Sequence, residues 1–241
     1  MVTQDKTLSK EETEKLLKTG IQFGHKKSRR HPSMIPYLYG KRNNMYIIDI
    51  EKTEEMLKKT LVFIDKLIKE GKEILFIGTK PNIRDYLRKV CDEKKFLYVN
   101  DRWIGGSLTN FSTIKKRLKQ FNDLEAKKNS SDFKELPKRE RRQIEKSIEK
   151  LDNTWRGLKS MSRLPHAIFL LDVPNHYLAI EEAKKKGLAV IAISDADADI
   201  SQVDYPIPAN DDALPAVKYI LDKVVSAIED TKKTKKESEK K

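Results

Sequence analysis

Positive charge and aromatic rings are concentrated together in residues 20–48. This stretch contains six Lys or Arg residues and no Asp or Glu, and four aromatic residues lie among the charges. Lys and Arg bind phosphate oxygens, so the combination favours contact with nucleic acid. A solvated loop whose aromatic rings pack on the core is the alternative, but a surface loop of this length normally mixes its charges. We therefore predict an RNA-contacting arm with six phosphate-binding residues: Lys26, Lys27, Arg29, Arg30, Lys41 and Arg42.

Negative charge is concentrated in residues 187–217, which contain six Asp and no Lys or Arg. Asp195 lies just past one predicted strand. Asp211 and Asp212 lie just past another, at the start of a helix whose dipole they can complement. Clustered carboxylates repel one another, and a divalent ion or a basic patch of a protein partner would relieve the repulsion. If the amino-terminal segment reaches the same edge, His25, Asp195 and Asp212 form a nitrogen–oxygen site for Zn²⁺ or Mg²⁺.

No group of residues in the sequence assembles a reaction, and no cofactor is required. Gly78-Thr79-Lys80 follows a predicted strand and opens a helix, where phosphates often bind, but it lacks the spacings of the known nucleotide-binding loops. The four histidines lack the paired spacing of zinc enzymes, and Ser107 and Ser194 lack a local hydrolase signature. We predict that the protein is not an enzyme. A nucleotide-dependent α/β enzyme that uses residues 78–80 is the alternative.

A predicted corner between a strand and a long basic helix contains Gly105-Gly106, and glycine tolerates the positive φ of a sharp turn. Arg102 and Trp103 place a positive charge and a flat ring beside the turn. The corner is therefore predicted to contact an anion. Trp103 is predicted to cover the edge of the sheet, with stacking on a base as the alternative.

Short apolar strands alternate with helices through much of the chain. The predicted strands of this pattern are residues 74–77, 96–99, 167–171, 189–193 and 205–207. Continuous apolar strands that alternate with helices are typical of a parallel sheet covered on both faces. The predicted fold class is therefore α/β, with a five-stranded parallel sheet and helices on both faces.

An inserted segment, residues 111–159, interrupts this alternation. Its apolar residues recur at steps of three and four, which predicts an antiparallel coiled-coil helical hairpin. Residues 115–159 contain 15 basic and 8 acidic residues, a net charge of +7. The hairpin is thus expected to contact RNA or protein, while an ordinary solvated hairpin and a scaffold that docks proteins through the hairpin alone are alternatives. The domain prediction is one α/β domain (8–110 and 160–230), the inserted hairpin and a disordered basic tail (231–241).

Composition excludes several classes of protein. The net charge of +13 favours a polyanionic partner, nucleic acid before an anionic membrane surface. There is no apolar run of about 18 residues and no signal-peptide pattern, so no membrane role is expected. Cys91 is the single cysteine, which excludes an internal disulfide and favours the cytoplasm. No homo-oligomer is expected.

Motifs from residue 8 to about residue 228 match a known family in order. They include Gly-Ile-Gln-Phe-Gly-His at 20–25, Phe-Ile-Gly-Thr-Lys at 76–80, Leu-Thr-Asn-Phe at 108–111 and Asn-Asp-Asp-Ala at 210–213. In these motifs the chain resembles the bacterial small-subunit ribosomal protein uS2 family. The resemblance implies a flavodoxin-like sheet with a protruding helical hairpin.

The resemblance also implies partners and a location. It places the protein on the cytoplasmic ribosome, near the head–body junction of the small subunit, bound to 16S rRNA and beside neighbouring small-subunit proteins. It further implies a surface that helps recruit the large mRNA-binding ribosomal protein. The predicted rRNA contacts are His25, Lys26, Lys27, Arg29, Arg30, Lys41, Arg42, Asn43, Arg102, Asn110, Lys115, Lys116 and Arg117.

Overall fold

The computed structural model describes residue 14, residues 16–26 and residues 30–238, and it divides into two compact units. Unit 1 consists of Met1–Gly71, Leu171–Pro174 and Ile191–Lys241. Unit 2 consists of Lys72–Leu170 and Asn175–Val190. The predicted α/β domain with its insertion stays a prediction.

A three-stranded antiparallel sheet lies in unit 1, where the sequence predicts an extended basic arm. Its strands are β1 (Phe23–Lys26), β2 (Leu38–Arg42) and β3 (Met45–Ile48), in the order β1-β3-β2. Asn43 and Asn44 join β2 to β3, and both have positive φ (47° and 62°), as two-residue hairpin turns of type I′ require. A 3-10 helix, Pro32–Tyr37, precedes β2.

The parallel sheet has five strands, which confirms the predicted α/β class. They are β4 (Ile74–Ile77), β5 (Leu97–Val99), β6 (Ala167–Leu170), β7 (Ala189–Ser194) and β8 (Tyr205–Pro208). The spatial order is β5-β4-β6-β7-β8. Counted from β4 this order is 2-1-3-4-5, that of flavodoxin-like sheets. Every residue of β4, β5 and β6 is buried, as continuous apolar strands require.

Six α-helices follow β1 in the described part of the chain, after a short helical segment that includes residues 16–18. They are α1 (Ile50–Lys69), α2 (Arg84–Lys94), α3 (Phe111–Asn129), α4 (Lys138–Trp155), α5 (Tyr177–Lys185) and α6 (Leu214–Ser238). None of the described helices has an apolar stretch long enough to cross a bilayer.

Helices α3 and α4 contact each other within unit 2 and form the predicted helical hairpin. Ile114, Leu118 and Phe121 of α3 are buried, at the predicted steps of four and three. Coiled-coil packing of the pair stays a prediction. At the exit of the hairpin, an added Cβ on Gly157 would overlap the carbonyl oxygen and the ring of Tyr98 in β5. Glycine is therefore required where the hairpin returns to the sheet.

Helix α6 continues through Ser238, whereas the sequence predicts a disordered tail from residue 231. Thr231 is buried, and its hydroxyl donates a hydrogen bond to Asp65 of α1 (2.8 Å). Packing against α1 thus extends the helix beyond the predicted end, a tertiary effect that the polar composition of this segment does not reveal. Residues 239–241 lie outside the described residues.

Candidate nucleic-acid interface

One face of the three-stranded sheet carries two of the predicted phosphate-binding residues. Lys26 of β1 and Arg42 of β2 both pair with Met45 of the central strand, and Phe23 pairs with Ile47. Paired residues of antiparallel strands point to the same face. Lys26, Arg42 and Phe23 therefore share one face, and all three side chains are exposed, Phe23 to 43%.

The other face of this sheet positions two further predicted cations. Tyr46 is buried, and both the Arg30 guanidinium carbon (5.7 Å) and Lys41 Nζ (5.1 Å) lie over its ring. Such cation–π contacts restrict long basic side chains that otherwise move freely. Asn43 occupies the hairpin turn, and the positive φ of this position already explains why an asparagine is found there. Lys27 and Arg29 lie outside the described residues.

Apart from His25, which lies at the acidic edge of unit 1, the other predicted contacts belong to unit 2 and form a group of their own. Asn110 directly precedes α3, and its Oδ1 accepts hydrogen bonds from the hydroxyls of Ser112 (3.4 Å) and Thr113 (3.0 Å). It therefore orders the first turn of α3 through side chains rather than through the helix backbone. The basic side chains of this group are exposed: Arg102, Lys115, Lys116 and Arg117.

A second basic surface in unit 2 was not predicted residue by residue. Five residues of α4 line a hollow of about 380 Å³: Lys138, Arg139, Arg142, Gln143 and Lys146. Lys138, Arg142 and Lys146 recur every four residues, so they share one face of the helix. Two features of the sequence could have indicated this surface: the four-residue spacing of these cations and the net charge of +7 in residues 115–159.

The glycine corner holds an anion that belongs to the protein itself, the carboxylate of Glu182. Its Oε1 accepts hydrogen bonds from Trp103 Nε1 (3.1 Å) and Gly106 N (2.8 Å). Its Oε2 accepts from Leu108 N, Thr109 N and the Thr109 hydroxyl, each at 3.0 Å. The corner is thus occupied by an internal ligand, and Trp103 is a hydrogen-bond donor to it rather than only a cover of the sheet edge.

The charge of Glu182 is sustained by these donors. The side chain is 3% exposed, and burial alone would favour its neutral form. The hydrogen bonds from Thr109, Leu108, Gly106 and Trp103 outweigh burial and hold the pKa of Glu182 below its ordinary value. Nothing local in the sequence marks this role, because the donors lie more than seventy positions away along the chain.

The carboxylates of the acidic edge lie together in unit 1, and His25 lies against them. His25 Nδ1 lies 2.9 Å from Asp195 Oδ2, and the His25 backbone N–H donates to Asp195 Oδ1 (3.2 Å). His25 Nε2 lies 3.4 Å from Asp212 Oδ2. Among the described residues, however, the ligand atoms that converge within 4.8 Å belong to His25, Asp195 and Asp211. Asp195 and Asp211 are buried (1% and 0% exposed), whereas the side chain of Asp212 is 59% exposed.

Two backbone features bring His25 to this edge. Asn210 donates from its side chain to Gly20 O and from its backbone to Ile21 O, both at 3.0 Å. A Cβ on Gly24 would lie 3.0 Å from Asp195 Oδ1, so glycine permits the close approach of β1. The motif at residues 20–25 therefore places an imidazole beside the carboxylates.

His25 is a cation at neutral pH. The hydrogen bond to Asp195 favours the charged imidazole, burial opposes it, and the charges of Asp195, Asp197 and Asp211 favour it again. Together they raise the pKa of His25 to about 9. The cluster therefore carries its own positive charge, and a metal ion would have to displace a proton to use this nitrogen.

The loop at residues 78–80 does not form a nucleotide cradle. Gly78 N–H donates to Val99 O (3.0 Å), and the Thr79 hydroxyl lies 3.2 Å from His176 Nε2. Residues 78–80 do not open helix α2 directly, because a turn at residues 81–83 intervenes and the helix begins at Arg84. The Gly78 N–H thus extends the hydrogen bonding between β4 and β5, and the loop does not place a helix N-terminus where a phosphate could bind.

Comparison with known proteins gives consistent matches. A family model described as Ribosomal protein S2 matches residues 16–231. A "Small ribosomal subunit protein uS2" of Coprothermobacter proteolyticus is 43% identical over 213 residues, which cover 88% of this chain and 80% of the relative. A protein of the same name from Chloroflexus aurantiacus is 40% identical over 219 residues, which cover 90% and 92% of the two chains.

Proposed function

The chain belongs to the ribosomal protein S2 family, and we propose that it binds 16S rRNA through the basic surfaces of its two units. Membership makes it a structural protein of the small ribosomal subunit that serves translation. The alternative of a nucleotide-dependent enzyme is wrong, since the relatives are structural ribosomal proteins.

The observation that carries the proposal is the arrangement of cations on the β1-β3-β2 sheet. Lys26 and Arg42 flank Met45 on one face, while Arg30 and Lys41 lie over Tyr46 on the other. All four side chains are exposed, and the ring of Tyr46 restricts two of them, so the surface offers accessible cations to the charged RNA backbone. In this proposal these cations neutralise phosphates and fix the protein on the RNA.

Unit 2 contributes a second set of phosphate contacts. Exposed cations lie before the corner that holds Glu182 and along α3 after it, at Arg102, Lys115, Lys116 and Arg117. The basic stripe of α4, represented by Arg142 and Lys146, adds a surface that can follow an RNA backbone. The hairpin therefore acts in rRNA binding in this proposal, rather than as a protein scaffold alone.

The finer placement of the protein follows from the family resemblance. We propose that it lies near the head–body junction of the small subunit, in the cytoplasm, beside neighbouring small-subunit proteins. It also helps recruit the large mRNA-binding ribosomal protein. Asp195 is buried, so a docking partner at the acidic edge would meet Asp212 and not Asp195.

At the acidic cluster we propose that the His25 cation, rather than a metal ion, balances the buried carboxylates of Asp195 and Asp211. The 2.9 Å contact with Asp195 supports this assignment. The predicted Zn²⁺ or Mg²⁺ stays a prediction, and the elemental content of purified protein tests it. Less than 0.1 equivalent of either metal after dialysis is expected, whereas one equivalent that is lost in an Asp195→Asn/Asp211→Asn variant would overturn the proposal.

Sedimentation of the native protein tests the proposed function. In a sucrose gradient of cell extract at physiological salt, the protein should migrate with the small ribosomal subunit. Treatment with ribonuclease should release it from that fraction. Protein that remains at the top of the gradient without ribonuclease would contradict the proposal.

A further inference from the structure

We infer that the face of the sheet bearing Phe23, Lys26 and Arg42 holds an unpaired guanine nucleotide, with the base in an adjacent cavity and the neighbouring phosphates on the two cations. The inference rests on the proposed rRNA-binding function and names the kind of RNA that this site takes.

The cavity has a volume of about 580 Å³ and opens beside β1. This volume falls within the roughly 300–1,000 Å³ of pockets that hold small molecules. Its lining includes Phe23, Lys26, His25, Met45, Asn210 and Asp212. It therefore combines an aromatic ring, a cationic rim and an acidic wall within unit 1.

Phe23 supplies a surface on which a base can stack. Its side chain is 43% exposed, although it lies on the same sheet face as the half-buried Met45 and Ile47. Proteins that bind single-stranded RNA use exposed aromatic rings in this way, and each stacked base adds about 1–3 kcal/mol to binding. Bases in a duplex are already stacked and paired, so the ring selects an unpaired nucleotide.

The acidic wall decides which part of the nucleotide enters. Carboxylates repel phosphate but accept hydrogen bonds from the N–H groups of a base. Asp212 is 59% exposed, and its Oδ2 lies 3.4 Å from His25 Nε2, which holds the carboxylate at the cavity. Guanine presents two adjacent donors, N1–H and N2–H, to one carboxylate, whereas uracil presents only N3–H. The base therefore enters the cavity, and guanine fits it best.

The cationic rim suits the phosphates on either side of that base. Lys26 and Arg42 both pair with Met45, one from each neighbouring strand. Two strands that flank a central strand are about 10 Å apart. A single RNA strand can cross the sheet here and meet both cations, while its base turns toward Phe23.

The test measures the affinity of the full chain for fluorescein-labelled RNA by fluorescence anisotropy. The three probes are a uridine octamer with one central guanosine, the all-uridine octamer, and a hairpin RNA in which the guanosine is paired. The wild type should bind the first probe most tightly. Equal affinity for the paired and unpaired guanosine probes would overturn the inference.

Variants separate stacking and base recognition from phosphate binding. Phe23→Ala should weaken binding of the guanosine octamer by about 5- to 150-fold without changing its salt dependence, and Phe23→Tyr should retain affinity. Asp212→Asn should abolish the preference for guanosine over uridine. Tyr177→Ala, which removes an aromatic ring that is 58% exposed in unit 2, is the matched control and should bind as the wild type does.

The outcomes distinguish this inference from the proposed function. If Lys26→Gln/Arg42→Gln weakens binding while Phe23→Ala and Asp212→Asn do not, the face binds phosphates only; the inference then fails and the proposed function stands. If none of these variants changes binding, the sheet is not an RNA surface. The inference and the proposed rRNA-binding role of unit 1 then both fail. Unchanged circular dichroism spectra show that each variant is folded.

Discussion

Glu182→Gln should destabilise the protein severely, although the change replaces a single oxygen. The wild-type carboxylate accepts five hydrogen bonds. In the variant one oxygen can still serve the donors of Trp103 and Gly106. The new amide group then points its own N–H donors at the donors of Leu108 and Thr109.

The magnitude follows from the hydrogen bonds around Oε2. Three hydrogen bonds to a buried, charged acceptor are removed, and a buried donor left without a partner costs about 1–3 kcal/mol. The contributions do not add fully, because the corner can relax and admit water. We therefore expect a loss of about 3–5 kcal/mol in the free energy of unfolding, similar to other broken buried charge networks.

Urea unfolding followed by circular dichroism measures this loss, with Glu181→Gln as the matched control. Glu181 precedes Glu182 on α5 but is only partly buried, so its substitution should change the free energy of unfolding by less than about 0.5 kcal/mol. A Glu182→Gln variant as stable as the Glu181→Gln variant would refute the internal-anion account of the corner. Lowering the pH should also destabilise the protein. The pKa of Glu182 is lowered in the folded state, so the stability that its charge provides is lost as the carboxylate becomes protonated.

Two further predictions concern His25 and Gly157. The pKa of His25 is raised from 6.5 to about 9, so its contribution to stability is complete below pH 6.5 and is lost as the pH rises to 9. The free energy of unfolding of the wild type should fall by about 2 kcal/mol over this pH interval, after allowance for partial solvent screening. A His25→Gln variant that loses as much stability over the same interval would contradict this prediction. Gly157→Ala should cost about 2–3 kcal/mol, because its methyl group overlaps Tyr98. Gly40→Ala is the control, because a Cβ at Gly40 meets no atom within 4 Å. Equal melting temperatures of the two variants would contradict the close approach of Gly157 to Tyr98.

The parallel sheet and the helical hairpin were predictable because each has a local signature. Continuous apolar runs such as residues 74–77 are buried on both faces of the sheet, and the steps of three and four in residues 111–121 place one side of α3 inward. Strands β1 and β2 were missed. Their register shifts, between Phe23 and Lys26 and between Leu38 and Gly40, break the alternation that marks a half-buried strand.

The candidate site was predictable in its charges but not in its geometry. The basic residues of the arm and the acidic residues past the strand ends could be read from composition and strand order, whereas the approach of His25 to those carboxylates was only a condition of the predicted metal site. Asp211 and Asp212 are adjacent, so the sequence alone could not tell that the first would be buried and the second exposed. The role of Glu182 could not be predicted, because its hydrogen-bond donors come from a distant segment and its own neighbours on α5 are ordinary helix residues.

The salt dependence of binding to isolated 16S rRNA tests the central claim most directly. Two variants remove equal charge from unit 1, and both use Lys or Arg to Gln changes at exposed positions. The sheet variant changes Lys26, Arg30, Lys41 and Arg42. The control variant changes four lysines of α1 and α6: Lys58, Lys66, Lys218 and Lys223. The log–log slope should flatten by about 0.7–0.9 for each phosphate that the protein no longer neutralises, hence by about 3 for the sheet variant, and should be nearly unchanged for the control. Equal slopes for the two variants would contradict the claim that the sheet binds the RNA backbone.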